Sequence, residues 1–146
     1  MITVVGSANV DMVARVPHLP SPGETVLASA LHSVPGGKGA NQAVAGARAG
    51  GDVWFVGRVG QDGSGALLRD SMAAAGVHLD HLVTDTEQPS GTALISVDDK
   101  GQNSIVVVPG ANGAVTAADI DAAASVIERA NFLVVQLEIP LVAVKH

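Results

Sequence analysis

The chain has 146 residues with eight Lys or Arg, fourteen Asp or Glu and a formal net charge of −6. This acidic balance, with one Trp, two Phe and no Tyr, argues against a nucleic-acid-binding face, because such faces need clustered cations and stacking rings. Cysteine is absent, which excludes a disulfide framework and a thiolate metal site and fits a cytoplasmic location. The amino terminus enters a predicted strand without a basic segment and a long apolar run, and no apolar stretch approaches the ~20 residues of a membrane span.

Strands and helices alternate along most of the chain in the predicted structure. Apolar runs predict strands near 2–8, 53–57 and 132–137, and helices near 40–49, 63–75 and 117–130. The third helix begins with a capping-box pattern, Thr116 followed three residues later by Asp119. This alternation indicates an α/β fold with a mainly parallel sheet flanked by helices.

Two segments, about 12–34 and 91–109, do not fit this layer and are predicted to be extended. Their β-rich runs are 13–16, 25–28, 92–97 and 104–108, and residues 98–101 are typical of a hairpin turn. A thin sheet with apolar residues on both faces would leave one face wet, so pairing with a second copy is a reasonable hypothesis.

The stretch 36–43 (GGKGANQA) combines glycines, a cation and an amide where a loop becomes a helix. Glycines allow positive φ and a close backbone approach, the helix start offers unpaired N–H groups, and Lys38 and Asn41 add side-chain donors. A nucleotide P-loop is excluded, because His32 occupies its first glycine position and Gly39 follows the lysine. The alternative is a tight strand-to-helix turn with a solvated lysine.

Polar residues also follow two apolar runs. Asn9 and Asp11 come after 2–5, and Glu138 comes after 132–135. In open α/β sheets, ligands bind outside the carboxyl ends of the strands. Amides, carboxylates and a lysine gathered there would suit a small polyhydroxylated molecule, because each hydroxyl both donates and accepts. Ordinary turn chemistry is the alternative for each residue taken singly.

Seven short motifs, in this order, resemble the N-terminal half of ribokinases, within the PfkB-type carbohydrate kinases. They are Gly6-Ser7-x-Asn9-x-Asp11, Pro22-Gly23-Glu24-Thr25, the 36–43 stretch, Val59-Gly60-x-Asp62-x-x-Gly65, Ser90-Gly91-Thr92-Ala93, Pro109-Gly110-Ala111-Asn112 and Gln136-Leu137-Glu138. The resemblance covers essentially the whole chain. It implies a ribokinase-like fold in which residues 1–146 are the N-terminal part of one domain and the two extended segments form a small β-sheet lid.

The resemblance also implies a function and a set of site residues. The hydroxyls of D-ribose would be held by Asn9, Asp11, Gly37, Lys38, Asn41 and Glu138. The γ-phosphoryl group of ATP would pass to the 5-hydroxyl with Mg²⁺ and a monovalent cation such as K⁺. The general base and anion hole would lie beyond His146, and in many ribokinases the lid pairs with that of a second subunit.

Pro140 and the apolar turn after it predict that the chain is a fragment completed by a C-terminal half. Because the resemblance implies that the general base and anion hole lie in that half, residues 1–146 alone are expected to be inactive. His18, His32, His78, His81 and His146 show no metal-ligand spacing and are interpreted as surface or loop residues. The alternatives to a ribokinase are a related kinase for fructose, deoxyribose or a nucleoside, and a non-catalytic sugar-binding or lid-dimerising module.

Overall fold

The computed structural model describes all residues 1–146 and contains two four-stranded sheets. The strands are β1 (Ile2–Val5), β2 (Asn9–Arg15), β3 (Ala30–Gly36), β4 (Val53–Gly60), β5 (His78–Asp85), β6 (Gly91–Val97), β7 (Asn103–Val108) and β8 (Phe132–Val135). The helices are α1 (Lys38–Arg48), α2 (Gly63–Ala74), α3 (Ala117–Ala122), α4 (Ala124–Glu128) and α5 (Leu141–Lys145), with a 3₁₀ helix over Gly110–Ala114. The predicted α/β class is confirmed.

The main sheet has the strand order β5-β4-β1-β8, with every neighbouring pair parallel. Successive residues of its central strands point to opposite faces. Val4 and Phe55 are buried in the core with residues of α1 and α2, whereas their neighbours Val5 and Val56 are buried with residues of α3 to α5. Burial of both faces explains why the sequence of these strands is continuously apolar instead of alternating.

Small residues bring α1 close to the main sheet. Ala40 and Ala43 are buried in its core, and a Cβ at Gly46 would lie 3.3 Å from a Val53 methyl group. The helix ends at Arg48, and the predicted stop follows at Gly50, whose φ of +90° is a left-handed conformation that glycine adopts readily.

The second sheet has the order β3-β2-β6-β7, with β2 parallel to β6 and the other pairs antiparallel. We call this sheet the lid. The chain enters it directly from β1 through residues 6–8 and re-enters it at Gly91. The predicted turn at 98–101 joins β6 to β7, with Gly101 at φ +78° and a hydrogen bond of 2.9 Å from Asp98 N to Gln102 O.

Several predicted boundaries were wrong. The strand near 2–8 ends at Val5, since residues 6–8 turn the chain from the main sheet into the lid. Residues 25–28 are not a strand despite their β-rich composition; the strand that pairs with β2 is 30–36. The helix near 117–130 is two short helices, because the backbone of Ala123 (φ −98°, ψ 2°) leaves the helical range between them.

Strand β5 was not predicted at all. Its sequence, HLDHLVTD, mixes polar and apolar residues because it lies at the edge of the main sheet with one face open to solvent. His78 and His81 therefore lie on a strand and not in a loop, and the ring of His78 stacks on Trp54 at a centroid distance of 4.4 Å. No helix in the structure has both the length and the apolar character needed to cross a bilayer.

Candidate functional site

The structure brings the six predicted site residues together around one cavity of about 170 Å³. We call it the polar cavity. Asn9 and Asp11 come from β2, Gly37 and Lys38 from the start of α1, and Glu138 from the segment after β8. Asn41, on the first turn of α1, completes the set. Asn9 and Asp11 lie within a lid strand and not in a turn beyond the main sheet, which corrects the predicted boundary but preserves their convergence with Glu138.

The glycines before α1 bring the helix start against β2. Gly37 has φ +88°, and a Cβ there would lie 2.6 Å from the Asn9 backbone nitrogen. A Cβ at Gly36 would lie 2.3 Å from Oδ2 of Asp11. The predicted close backbone approach therefore exists, and its immediate partner is β2, which carries two of the site residues.

Glu138 is held in place by two side chains. Lys38 forms an ion pair with Oε1 of Glu138, and Ser7 Oγ donates to Oε2 at 2.7 Å. Burial by itself raises the pKa of Glu138, but the hydrogen bonds from Lys38 and Ser7, with the charge of Lys38, outweigh it and hold the pKa below its ordinary value. Glu138 is therefore ionised at neutral pH and already paired.

Asp11, unlike Glu138, is not paired with another side chain. Its carboxylate has no hydrogen-bond partner among the protein's side chains, although it lies in the same cavity. Burial, with a smaller contribution from the negative charge of Glu138, raises the pKa of Asp11 above its ordinary value. Asp11 thus has unused acceptor capacity, and a ligand that donates hydrogen bonds to it would relieve the cost of its desolvation.

The part of the polar cavity that lid strands β6 and β7 supply is apolar. It is formed by Ala93 and Ile95 of β6 with Val107 and Ile105 of β7, which are the cross-strand pairs Ala93–Val107 and Ile95–Ile105. Residues two apart on a strand share a face, so all four belong to one face of the lid. The cavity therefore combines charged and amide groups with aliphatic groups.

No role was predicted for Ser7 or Asn112, although both stand in motifs that resemble those of ribokinases. Ser7 holds Glu138, and the fully buried Asn112 donates to Oδ1 of Asn9 at 2.7 Å. The available signal was the position of each residue beside a glycine-containing turn, which does not reveal a partner about one hundred residues away.

Asp62 fastens the start of β6 to the main sheet. Its carboxylate accepts from Gly65 N at 2.7 Å, which caps α2, and from Ser90 N and Oγ at 2.8 and 2.7 Å. Burial would raise the pKa of Asp62, but these hydrogen bonds lower it overall. The 59–65 motif is therefore structural in this molecule: it fixes where the lid strand β6 begins.

Comparison with known proteins decides the family. The chain matches the model described as pfkB family carbohydrate kinase over residues 1–145. It belongs to this family. It is 45% identical to the ribokinase of Bacillus subtilis, with 95% of this chain and 47% of that protein covered. It is 46% identical to the bifunctional ribokinase/ribose-5-phosphate isomerase A of Fructilactobacillus sanfranciscensis, with 98% and 27% covered.

The fold of this PfkB-family chain agrees with a solved relative. The structure of Arabidopsis thaliana ribokinase complexed with ribose and ATP superposes with a TM-score of 0.85 at 39% identity, covering 95% of this chain and 46% of that one. This chain thus spans about half the length of the ribokinases that it matches. The predicted family and ribokinase-like fold are both confirmed.

Proposed function

We propose that this chain is the sugar-binding part of an ATP-dependent ribokinase that phosphorylates D-ribose at its 5-hydroxyl group. The observation that carries the proposal is the convergence of Asn9, Asp11, Gly37, Lys38, Asn41 and Glu138 around one small cavity. The similarity to proteins named ribokinase, one of them solved with ribose and ATP, supports the same substrate.

The chemistry of the polar cavity suits a small sugar. Asp11 offers acceptor capacity, Lys38 and the two asparagines offer donors, and a hydroxyl group can satisfy both kinds of partner at once. The aliphatic face of the lid would cover the C–H groups of the ring. Because Glu138 is already paired with Lys38 and Ser7, it acts here as a fixed acceptor whose geometry is set before the ligand arrives.

Catalysis would be completed by residues beyond His146. A second cavity of about 460 Å³ shares Asn9, Val107 and Glu138 with the polar cavity and is also lined by Leu137 and Pro140. Leu137 is 74% exposed, so an apolar side chain stands uncovered at this opening. We infer that residues 1–146 are the N-terminal part of one domain, and that a C-terminal half carrying the ATP site approaches from this side.

ATP would supply the phosphoryl group, and Mg²⁺ with a monovalent cation such as K⁺ would bind mainly to that C-terminal half. Residues 1–146 bind and orient the acceptor sugar and shield it from water under the lid. We also propose a cytoplasmic location.

A homodimer through the lid is the proposed assembly. Leu94 of β6 and its cross-strand partner Val106 are 50% and 60% exposed, and Val108 on the same face is 45% exposed. These residues alternate with those that line the polar cavity, so the lid is apolar on both faces. Light scattering of the complete protein should give a dimer at micromolar concentration, and Val106→Glu should give a monomer. A wild-type monomer would contradict the assembly.

The proposed function is tested by ADP release from the complete protein with ATP and Mg²⁺, using ribose, deoxyribose, fructose and adenosine in parallel. Ribose-selective turnover is expected, with none from residues 1–146 alone, because the general base and anion hole are proposed to lie beyond His146. Preference for another acceptor would keep the family and overturn the substrate. Binding without turnover by the complete protein would favour a non-catalytic sugar-binding module.

A further inference from the structure

Asn112 makes three hydrogen bonds to two consecutive residues at the entrance to the lid. Its Oδ1 accepts from Ala8 N at 2.9 Å, and its Nδ2 donates to Ala8 O at 3.0 Å and to Asn9 Oδ1 at 2.7 Å. The side chain is 1% exposed, so these bonds form away from water. The carboxamide thereby pairs with Ala8 in the way that the peptide group of a neighbouring strand would.

This network fixes the orientation of both amides. A backbone N–H can only donate, so the Asn112 atom that faces Ala8 N must be Oδ1. The other terminal atom is then Nδ2, and the atom of Asn9 that receives its hydrogen bond must be Oδ1. The orientation of the Asn9 carboxamide thus follows, step by step, from one backbone donor.

The consequence is that Asn9 presents a donor to the polar cavity. Its Oδ1 is occupied by Asn112, and its Nδ2 has no protein acceptor, so both hydrogens of Nδ2 remain for a ligand. Asp11, two residues along the same strand, presents an acceptor to the same cavity. A hydroxyl group placed between them would accept from Asn9 and donate to Asp11.

We propose that Asn112 is a positioning residue for sugar recognition: it holds the Asn9 carboxamide with its NH₂ group turned to the ligand. The inference rests on the proposed function, because it explains how the proposed sugar site makes Asn9 the donor in its hydrogen bond to the sugar.

The hydrogen bond between Asn112 and Asn9 occupies the space that a side chain at Gly91 would need. A Cβ at Gly91 would lie 2.1 Å from Nδ2 of Asn112 and 2.2 Å from Oδ1 of Asn9. Ala111 N also donates to Pro89 O at 2.8 Å, which ties the 3₁₀ helix to the segment before β6. The strands β2 and β6 and the end of β7 therefore meet at Asn112, which links the position of the lid to the orientation of Asn9.

The test is Asn112→Asp in the complete protein, with ribose affinity measured by calorimetry. The substitution keeps the shape but sets a carboxylate oxygen against Oδ1 of Asn9, so Asn9 must rotate and present its oxygen beside Asp11. The ribose Kd should rise about tenfold or more while the KM for ATP stays unchanged. Asn103→Asp, the same change of charge at an exposed position of β7, should leave the ribose Kd unchanged.

A double-mutant cycle separates positioning from a general structural role. In an Asn9→Ala background, Asn112→Asp should weaken ribose binding by less than twofold, because the group through which Asn112 acts is gone. Equal losses in both backgrounds would overturn the proposal. Asn9→Asp leaves Asn112 intact but replaces the donor with an acceptor; undiminished ribose affinity in that variant would overturn the donor role even if Asn112→Asp does not fold.

A measurement without sugar keeps the two proposals distinguishable. The side-chain amide resonance of Asn9, assigned by its loss in Asn9→Ala, should shift in Asn112→Asp and stay in place in Asn103→Asp. An unmoved resonance would overturn the role of Asn112. If the resonance shifts in Asn112→Asp but the wild-type protein binds no ribose, the result would support the Asn112–Asn9 coupling and overturn the proposed substrate instead.

Discussion

Lys38 and Glu138 form an ion pair across the polar cavity although they are 100 residues apart in the sequence. Lys38 is the first residue of α1, and Glu138 follows β8 at the edge of the main sheet. The pair therefore connects the start of α1 to the segment after β8. With the Ser7 hydroxyl, it holds a carboxylate in a fixed position and keeps it ionised.

Glu138→Gln should weaken ribose binding by about 10- to 100-fold, the usual range for one charge-assisted hydrogen bond. The variant removes the charge that Lys38 and Ser7 hold and replaces one acceptor oxygen with an NH₂ donor. Calorimetry on the complete protein measures the change. Glu128→Gln, an exposed glutamate on α4, is the matched control and should bind ribose as the wild type does. An unchanged Kd in Glu138→Gln would remove Glu138 from the site.

Asp11→Asn should stabilise the fold while weakening ribose binding. Burial raises the pKa of Asp11, so its ionised form costs folding free energy above the unfolded-state pKa of about 4. A neutral amide avoids that cost, and the gain in melting temperature should shrink as the pH falls towards 4, where the wild-type carboxyl becomes protonated in both states. Thermal melts between pH 4 and 8, together with ribose titrations, measure both effects.

The control for Asp11 is Asp99→Asn in the exposed turn between β6 and β7. It should change neither the melting temperature nor the ribose Kd. A wild-type ribose affinity in Asp11→Asn would show that Asp11 does not contact the sugar, whatever the stability result.

Gly37→Ala should destabilise the protein more than Gly23→Ala does. Both glycines have positive φ, +88° and +80°, so alanine pays a similar backbone cost at each. Only Gly37 approaches other atoms, since a Cβ there would lie 2.6 Å from Asn9 N, whereas nothing lies within 4 Å at Gly23. We expect Gly23→Ala to cost about 1 kcal/mol and Gly37→Ala at least 1 kcal/mol more, with loss of ribose binding. Equal melting temperatures would contradict the close approach.

Arg58→Met should lower the free energy of unfolding at neutral pH. It should also make that free energy fall less steeply as the pH is lowered. Arg58 donates two hydrogen bonds of 2.9 Å to Asp119 on α3 and one of 2.9 Å to Asp85. Burial raises the pKa of Asp119, but the hydrogen bonds from Arg58 and Thr116 lower it overall. The pKa of Asp85 is lowered first by backbone hydrogen bonds from Gln88 and Glu87 and then by the side chain of Arg58. The contribution is therefore present above the unfolded-state pKa of about 4 and is lost as the pH falls through the lower folded-state values.

Losing the Arg58–Asp119 pair should cost about 2 kcal/mol, less than a fully buried pair because Arg58 is 21% exposed. Urea unfolding at pH 7 and pH 3 measures the difference, which should be smaller at pH 3. Arg48→Met removes the same charge from an exposed position at the end of α1 and should change stability by less than 0.5 kcal/mol at both pH values. A difference independent of pH would show that packing, and not the ion pair, explains the loss.

The sequence by itself determined the α/β class, the small-residue helix α1 and the cap of α3, and it predicted six site residues that the structure places among those lining the polar cavity. These predictions depend on local signals: hydrophobic period, glycine and proline positions, and short motifs. They succeeded at Gly50 and at Thr116 because a helix end is fixed by residues within one turn of it.

Only the tertiary structure decided which strands pair and which side chains contact one another. Strand β5 escaped prediction because its burial depends on β4, and residues 25–28 are not a strand because β2 pairs with 30–36 instead. Which atoms fix Glu138 and Asn9 likewise depends on Ser7 and Asn112, each more than one hundred residues away from its partner. Composition selects which groups can bind a sugar, but their orientation is set by hydrogen bonds between elements that only folding brings together.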